Sequence, residues 1–157
     1  VDIRKSFEPR AEELAKKYAL APYTMFIGSG ALWGETILFS MCILEEMQWK
    51  RTRYITSADF FHGTLELVEP GVPVFLFMGE DENRKLDERV RAFLTRGVTG
   101  DTDINIIDTA EFAIPGLDDE FRVIVSPWIL TVLVTRRSPS TTSTTVATIT
   151  SSTTKSK

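Results

Sequence analysis

A chain of 157 residues is long enough for one domain with a substantial hydrophobic core, but short for two such domains. Its hydrophobic fraction of 43% and its charged fraction of 25% are typical of an ordinary globular protein. The net charge of −4 argues against a general nucleic-acid-binding surface, which needs clustered Lys and Arg side chains. The composition therefore favours one globular domain without a nucleic-acid partner.

The chain has one cysteine, Cys42, and one histidine, His62. A single cysteine cannot form an internal disulfide, and its apolar neighbours favour a buried, reduced thiol. One His and one Cys do not suffice for a zinc site, so we predict no metal ion and no cofactor. The chain shows neither a signal peptide nor an apolar stretch of about eighteen residues, so we interpret it as a cytoplasmic protein without a membrane partner. Because it begins with Val1 instead of Met, we also interpret it as part of a longer protein.

The first predicted elements are an amphipathic helix and a short strand. Apolar residues recur at steps of four, four, three and four with charged residues between them, namely Ile3, Phe7, Ala11, Leu14 and Tyr18. After Pro22, the apolar run 24–27 predicts a strand that enters a glycine-rich turn. The glycine pattern of the turn 28–34 is similar to that of a dinucleotide-binding loop. However, its third glycine lies one position later than in that motif, and no acidic residue ends the second strand. We favour a tight turn that lets the next helix pack closely on the strand.

The next elements alternate between helices and strands. Residues 31–47 are apolar almost all round and predict a buried helix, and 82–96 predict a surface helix. The remaining predicted strands are 53–56, 72–78 and 103–108. Residues 123–134 are ambiguous, and we favour a helix that has Pro127 in its first turn. This alternation predicts an α/β fold with an open parallel sheet.

The last twenty residues differ from the rest, since fourteen of them are Ser or Thr and none is aromatic or acidic. Such a segment cannot bury enough apolar surface to offset the entropy lost on ordering. We therefore predict a domain over 1–137 and a disordered Ser/Thr-rich tail over 138–157.

Two regions carry candidate acid–base chemistry. Glu45 and Glu46 end the apolar helix, where the helix dipole disfavours negative charge. A carboxyl group at this end is therefore protonated more readily, as a general acid or base requires. His62 follows Glu46 by sixteen residues, and an imidazole with a carboxylate can move a proton near neutral pH. A packed His62 and solvent-exposed glutamates remain the alternatives. The acidic loop 79–82 at a helix N-terminus would repel a phosphate, so we interpret it as structural.

The segment 59–73, Asp-Phe-Phe-His-Gly-Thr-Leu-Glu-Leu-Val-Glu-Pro-Gly-Val-Pro, resembles the second half of SIS (sugar isomerase) phosphosugar proteins when it is taken with Glu46. The run 66–73 and the acidic loop are similar to those of bacterial fructoselysine-6-phosphate deglycases, and more distantly to the isomerase half of glucosamine-6-phosphate synthase. The resemblance covers about residues 5–135. It implies a flavodoxin-like, three-layer αβα SIS domain that forms the C-terminal half of a two-SIS enzyme.

The same resemblance implies that Glu46 and His62 are the catalytic pair, in a pocket built by two SIS halves and a homo-oligomer. The implied substrate is a phosphorylated sugar or sugar–amine adduct, and the implied reaction cleaves a 6-phosphorylated Amadori compound to glucose 6-phosphate and an amine. Asp59 stands where the family usually has Glu, and Thr64 where it has Pro. Ile43 replaces a Lys of the synthase-type enzymes, which favours a deglycase. An aldose–ketose phosphosugar isomerase, a fragment that keeps only the fold, and a sugar-phosphate-sensing module of a regulator are the alternatives.

Overall fold

The computed structural model describes residues 3–96, 100–137 and 145–147. Its central sheet has four parallel strands in the order β2-β1-β3-β4. The strands are β1 (Thr24–Gly28), β2 (Thr52–Ile55), β3 (Val74–Met78) and β4 (Ile104–Asp108). All three pairings are parallel, and this order is that of a flavodoxin-like doubly wound sheet. The predicted α/β fold with an open parallel sheet is confirmed.

Helices cover both faces of this sheet, which gives the predicted three layers. The four α-helices are α1 (Ile3–Tyr18), α2 (Trp33–Ile37), α3 (Arg84–Thr95) and α4 (Asp119–Val134). One hydrophobic core joins α1, α4 and the helical segment 30–47 to one face of the sheet. A second core joins α3 and the connection between β2 and β3 to the other face. Strands β1 and β3 are fully buried because they lie between both cores.

The predicted helix over 31–47 is present but changes its geometry along its length. A 3₁₀ turn (Gly30–Leu32) leads into α2, and a π-helical segment (Leu38–Met47) follows. The hydroxyl groups of Thr36 and Ser40 donate to carbonyl oxygens four residues earlier, where they compete with the α-helical hydrogen bonds. The segment is less buried than predicted, since Met47 is 51% exposed and Cys42 is only partly buried.

The position predicted for Pro127 was wrong. Helix α4 begins at Asp119, so Pro127 lies in its interior instead of its first turn. A proline there cannot donate to the carbonyl oxygen of Val123. The hydroxyl of Ser126 donates to that oxygen instead, at 3.0 Å, and supplies the missing hydrogen bond.

The tight turn after β1 is confirmed at Gly28. A side chain at this position would collide with the hydroxyl of Thr36, so only a glycine lets α2 pack this closely on the strand.

After α4, a short strand β5 (Thr135–Arg137) pairs antiparallel with β6 (Thr145–Ala147). The strand β6 belongs to the segment for which we predict disorder, and the rest of that segment lies outside the described residues. No helix in the described part of the chain is both long enough and apolar enough to cross a membrane.

Candidate functional site

The loops at the carboxyl ends of the strands are joined by a partly buried carboxylate. Asp81, in the loop after β3, accepts hydrogen bonds from the backbone amides of Ala31 and of Asn83, the latter at 2.7 Å. Because Ala31 lies in the turn after β1, this one side chain fixes two loops together. Ligands of open α/β proteins often bind at this edge of the sheet. In this protein the carboxylate of Asp81 instead forms hydrogen bonds that join the loops at this edge.

Two ion pairs hold the same edge. Arg122 of α4 contacts Glu80 at 2.5 Å, and Arg84 of α3 contacts Asp108 at 2.5 Å. Burial is the largest single influence on the pKa of Asp108 and raises it, but the hydrogen bonds from Arg84 and the Ala110 amide, together with the charges of Arg84 and Arg91, outweigh burial and lower the net pKa. The carboxylates of Glu80 and Asp81 therefore have structural partners, as predicted for the acidic loop.

Asp87 of α3 is a buried acid that the sequence analysis missed. Its side chain is 1% exposed and accepts a 2.5 Å hydrogen bond from the hydroxyl of Ser57. Burial raises the pKa of Asp87 to about 6, although the hydrogen bonds from Ser57 and from the Gly79 amide oppose the rise. The signal was present in the sequence, since Asp87 precedes Val90 by three residues and Leu94 by seven and so falls in the apolar stripe of the helix.

Glu46 lies near the C-terminal end of the π-helical segment and is exposed. Its neighbour Glu45 has a hydrogen-bond partner, because the hydroxyl of Thr52 donates to the Glu45 carboxylate at 2.6 Å. Among the described residues, the Glu46 side chain forms no hydrogen bond or ion pair. Of the two adjacent acids, Glu46 is thus the one whose carboxylate is available.

The turn after Glu46 has an unusual residue that the sequence analysis also missed. Trp49 has a φ of 55°, a left-handed conformation that is uncommon for a bulky side chain, and it is 75% exposed. The amide of Lys50 donates to the carbonyl of Leu44, six residues back, and so closes the end of the π-helical segment. A strained, exposed tryptophan therefore stands three residues from Glu46.

His62 is exposed, so the alternative of a packed histidine is wrong. It lies in the connection between β2 and β3, where Phe60 is fully buried and Phe61 packs edge-on against Phe93 at 5.5 Å. The guanidinium of Arg89 lies 4.3 Å from the centre of the Phe61 ring. These contacts hold the backbone while the imidazole itself remains free of protein partners within the described residues.

The turn that follows His62 is fixed by two further residues. Gly63 has a φ of 110°, which a residue with a side chain rarely adopts. The hydroxyl of Thr64 is 3.2 Å from Nη2 of Arg53 and accepts its hydrogen bond, which ties this position to β2.

Within one copy, Glu46 and His62 belong to different layers of the fold. Glu46 follows Ile43 and Leu44, which pack on one face of the sheet, whereas His62 follows Phe60, which packs on the other. The edge strand β2 lies between these layers. The two side chains do not contact each other in the described structure, and the acid and the imidazole both remain free to act on a ligand or on a second copy.

The described residues contain no group of three or more His, Cys, Asp or Glu side chains that could hold a metal ion.

Comparison with known proteins finds similarity to two deglycases. No protein-family model matches the chain. The chain is 30% identical to the fructosamine deglycase FrlB of Bacillus subtilis, over 76% of its own length and 36% of that protein. It is 29% identical to the fructoselysine 6-phosphate deglycase of Escherichia coli (strain K12), over 69% of its own length and 31% of that protein. The chain thus spans about a third of the length of these relatives.

Solved structures agree with this comparison. A phosphosugar isomerase-like protein of Bacillus subtilis matches with a TM-score of 0.75 and 28% identity, over 83% of this chain and 39% of that one. A similar protein of Salmonella typhimurium matches with a TM-score of 0.75 and 27% identity, over 83% of this chain and 40% of that one. The coverage is consistent with the C-terminal half of such proteins. The chain is thus similar to part of the fructosamine and fructoselysine-6-phosphate deglycases, and its fold is the SIS fold of the phosphosugar isomerase structures.

Proposed function

We propose that residues 1–137 form the C-terminal SIS half of a cytoplasmic phosphosugar deglycase. The observation that carries this proposal is the similarity to two deglycases, together with the exposed side chains of Glu46 and His62, to which the resemblance assigns the catalytic roles. The partly exposed thiol of Cys42 fits a reducing compartment. The substrate would be a 6-phosphorylated Amadori compound, and the products would be glucose 6-phosphate and a free amine.

The reaction needs a base that moves a proton between two carbon atoms. In the opened sugar, the carboxylate of Glu46 would remove the proton from C1 and return it to C2. The protonated imidazole of His62 would donate a proton to the C2 oxygen as the carbonyl is reduced to an alcohol and C1 is oxidised to a protonated imine, and the imidazole would regain this proton when the imine is hydrolysed. Water would then add to C1 and release the amine. No metal ion or cofactor takes part in this scheme.

We propose that the two catalytic side chains come from two copies of the chain. The edge strand β2 separates their layers in one copy, and no contact joins them there. A protein contact is also supported by the exposed side of α4, which carries Ile124 at 68% exposure and Trp128 at 71%. Phe121 and Val132 continue this surface, which we call the α4 face.

The proposal is tested by measuring amine release from fructoselysine 6-phosphate. The chain is assayed alone and together with the first SIS half of a related deglycase, and the variants Glu46→Gln and His62→Asn are compared with the exposed control Glu111→Gln. We expect each of the two site variants to lose at least about a hundredfold in rate, the lower range for removal of a general acid or base, while the control keeps its rate. Equal rates in all variants would contradict the assignment.

An aldose–ketose isomerase is the second candidate. Ile43 occupies the position of the synthase lysine and is 7% exposed, so this position offers no amine to a substrate. Incubation with fructose 6-phosphate separates the two activities. A deglycase should leave this substrate unchanged, whereas an isomerase would convert it to glucose 6-phosphate. A chain that keeps only the fold would act on neither compound.

A further inference from the structure

A network of buried hydrogen bonds joins the three loops that follow β1, β2 and β3. The carboxylate of Asp87 accepts from the hydroxyl of Ser57 at 2.5 Å and also from the backbone amide of Gly79. The backbone amide of Ser57 donates to the hydroxyl of Ser29 at 2.8 Å. Ser29, Ser57 and Asp87 are 5%, 2% and 1% exposed. Ser57 therefore makes two buried contacts, one to the loop after β1 and one to α3.

Ser57 is also the first buried residue of the segment that carries His62. At Ser57 the chain enters a series of short turns, in which the amide of Phe60 donates to the carbonyl of Thr56 at 3.0 Å. The amide of His62 donates to the carbonyl of Asp59 at 2.9 Å. A shift of the chain at Ser57 would therefore be passed through two hydrogen-bonded turns to the imidazole.

Burying a carboxylate at this position costs free energy. Burial disfavours the charged form of Asp87, and the carboxylate of Asp81 adds to this effect, while Arg84 of the same helix opposes it. An apolar side chain would fill the space without that cost, but it would leave the hydroxyl of Ser57 and the amide of Gly79 without an acceptor. The acid thus has a role that packing alone would not require.

We propose that Asp87, acting through Ser57 and Ser29, is a positioning residue that fixes the base of the His62 segment. It does not touch the substrate. Its effect on catalysis rests on the proposed function of His62, but its effect on the position of the segment does not.

The test uses the whole chain with three variants. Ser57→Ala removes the hydroxyl, Asp87→Ala removes the acceptor, and Asp87→Asn keeps a hydrogen-bonding group of the same shape. Asp103→Asn, at the partly exposed ion pair with Lys17, is the control. Hydrogen exchange is followed at the amides of residues 60 and 62, and at amides of the sheet.

We expect Ser57→Ala and Asp87→Ala to exchange about tenfold faster at residues 60 and 62, as for the loss of one buried hydrogen bond. Exchange in the sheet should change much less, Asp87→Asn should restore slow exchange, and the control should match the original chain. Unchanged exchange at residues 60 and 62, or an equal acceleration throughout the sheet, would overturn the proposal.

Amine release in the presence of the first SIS half provides the second measurement. The two disruptive variants should lower kcat with little change in KM, because substrate binding is kept while the imidazole is displaced. If the original chain releases no amine, the proposed function fails, and the exchange result still decides the positioning role. If the original chain is active and the variants raise KM alone, the positioning role is wrong.

Discussion

Replacing Asp87 by Asn should change how the stability of the protein depends on pH. The carboxyl group is buried, and burial is the main reason that its pKa is raised from 3.8 to about 6. Asn has the same shape, can take part in the hydrogen bonds with Ser57 and Gly79, and carries no charge at any pH. The comparison therefore isolates the free energy of ionising this one group inside the protein.

The direction and size of the effect follow from the raised pKa. Between pH 3.8 and about 6, the folded state holds a proton on Asp87 that the unfolded state has already lost, so stability decreases as pH rises through this range. Above the folded pKa the decrease is complete. The difference between the two pKa values corresponds to a loss of about 3 kcal/mol in the free energy of unfolding, at 1.36 kcal/mol per pH unit. Asp87→Asn lacks this contribution, so its stability relative to the original chain should increase by about 2.4 kcal/mol between pH 4, where part of the change has already occurred, and pH 7.5.

Urea unfolding of both proteins at several pH values measures this difference. If the Asn side chain forms a weaker hydrogen bond, the free energy of unfolding of Asp87→Asn is lowered by the same amount at every pH. Such a constant offset would not affect the test, which depends only on how the difference changes with pH. A difference in stability that stays constant within about 0.5 kcal/mol from pH 4 to pH 7.5, well below the effect expected from linkage, would refute the reasoning.

Two further predictions concern packing and association. Gly28→Ala should lower the free energy of unfolding by about 1–3 kcal/mol through the collision with Thr36, whereas Gly34→Ala, with open space around it in the helix, should stabilise by about 0.5–1 kcal/mol. Thermal unfolding compares the two, and equal effects would contradict the close packing at Gly28. Trp128→Glu on the α4 face should abolish self-association measured by sedimentation, while Glu111→Gln should not. A monomeric original chain would contradict the role of this face.

The fold was largely readable from the sequence because its signals are local. The apolar runs of the four strands and the alternation of helices and strands are sufficient for an open parallel sheet. The register of α4 was missed because Ser126 compensates for Pro127, and that compensation depends on where the hydroxyl of one residue lies. The exposure of Met47 was missed because a change from α- to π-helical geometry rotates the faces of the helix.

The candidate site was only partly predictable. Glu46 and His62 were predicted as a pair from the resemblance to SIS proteins, but sequence could not show that they belong to different layers of one copy. The buried position of Asp87 was visible as an acid within an apolar stripe. Its partner Ser57, and Ser29 to which the amide of Ser57 donates, were not, because they are thirty and fifty-eight residues away from Asp87 along the chain.

The most direct test of the central claim is to mix the Glu46→Gln and His62→Asn chains in the presence of the first SIS half. If the acid and the imidazole act together across two copies, each mixed dimer contains one complete pair, and the mixture should recover about a quarter of the original rate of amine release. If the mixture is as inactive as either variant alone, the two side chains do not form a site shared between copies.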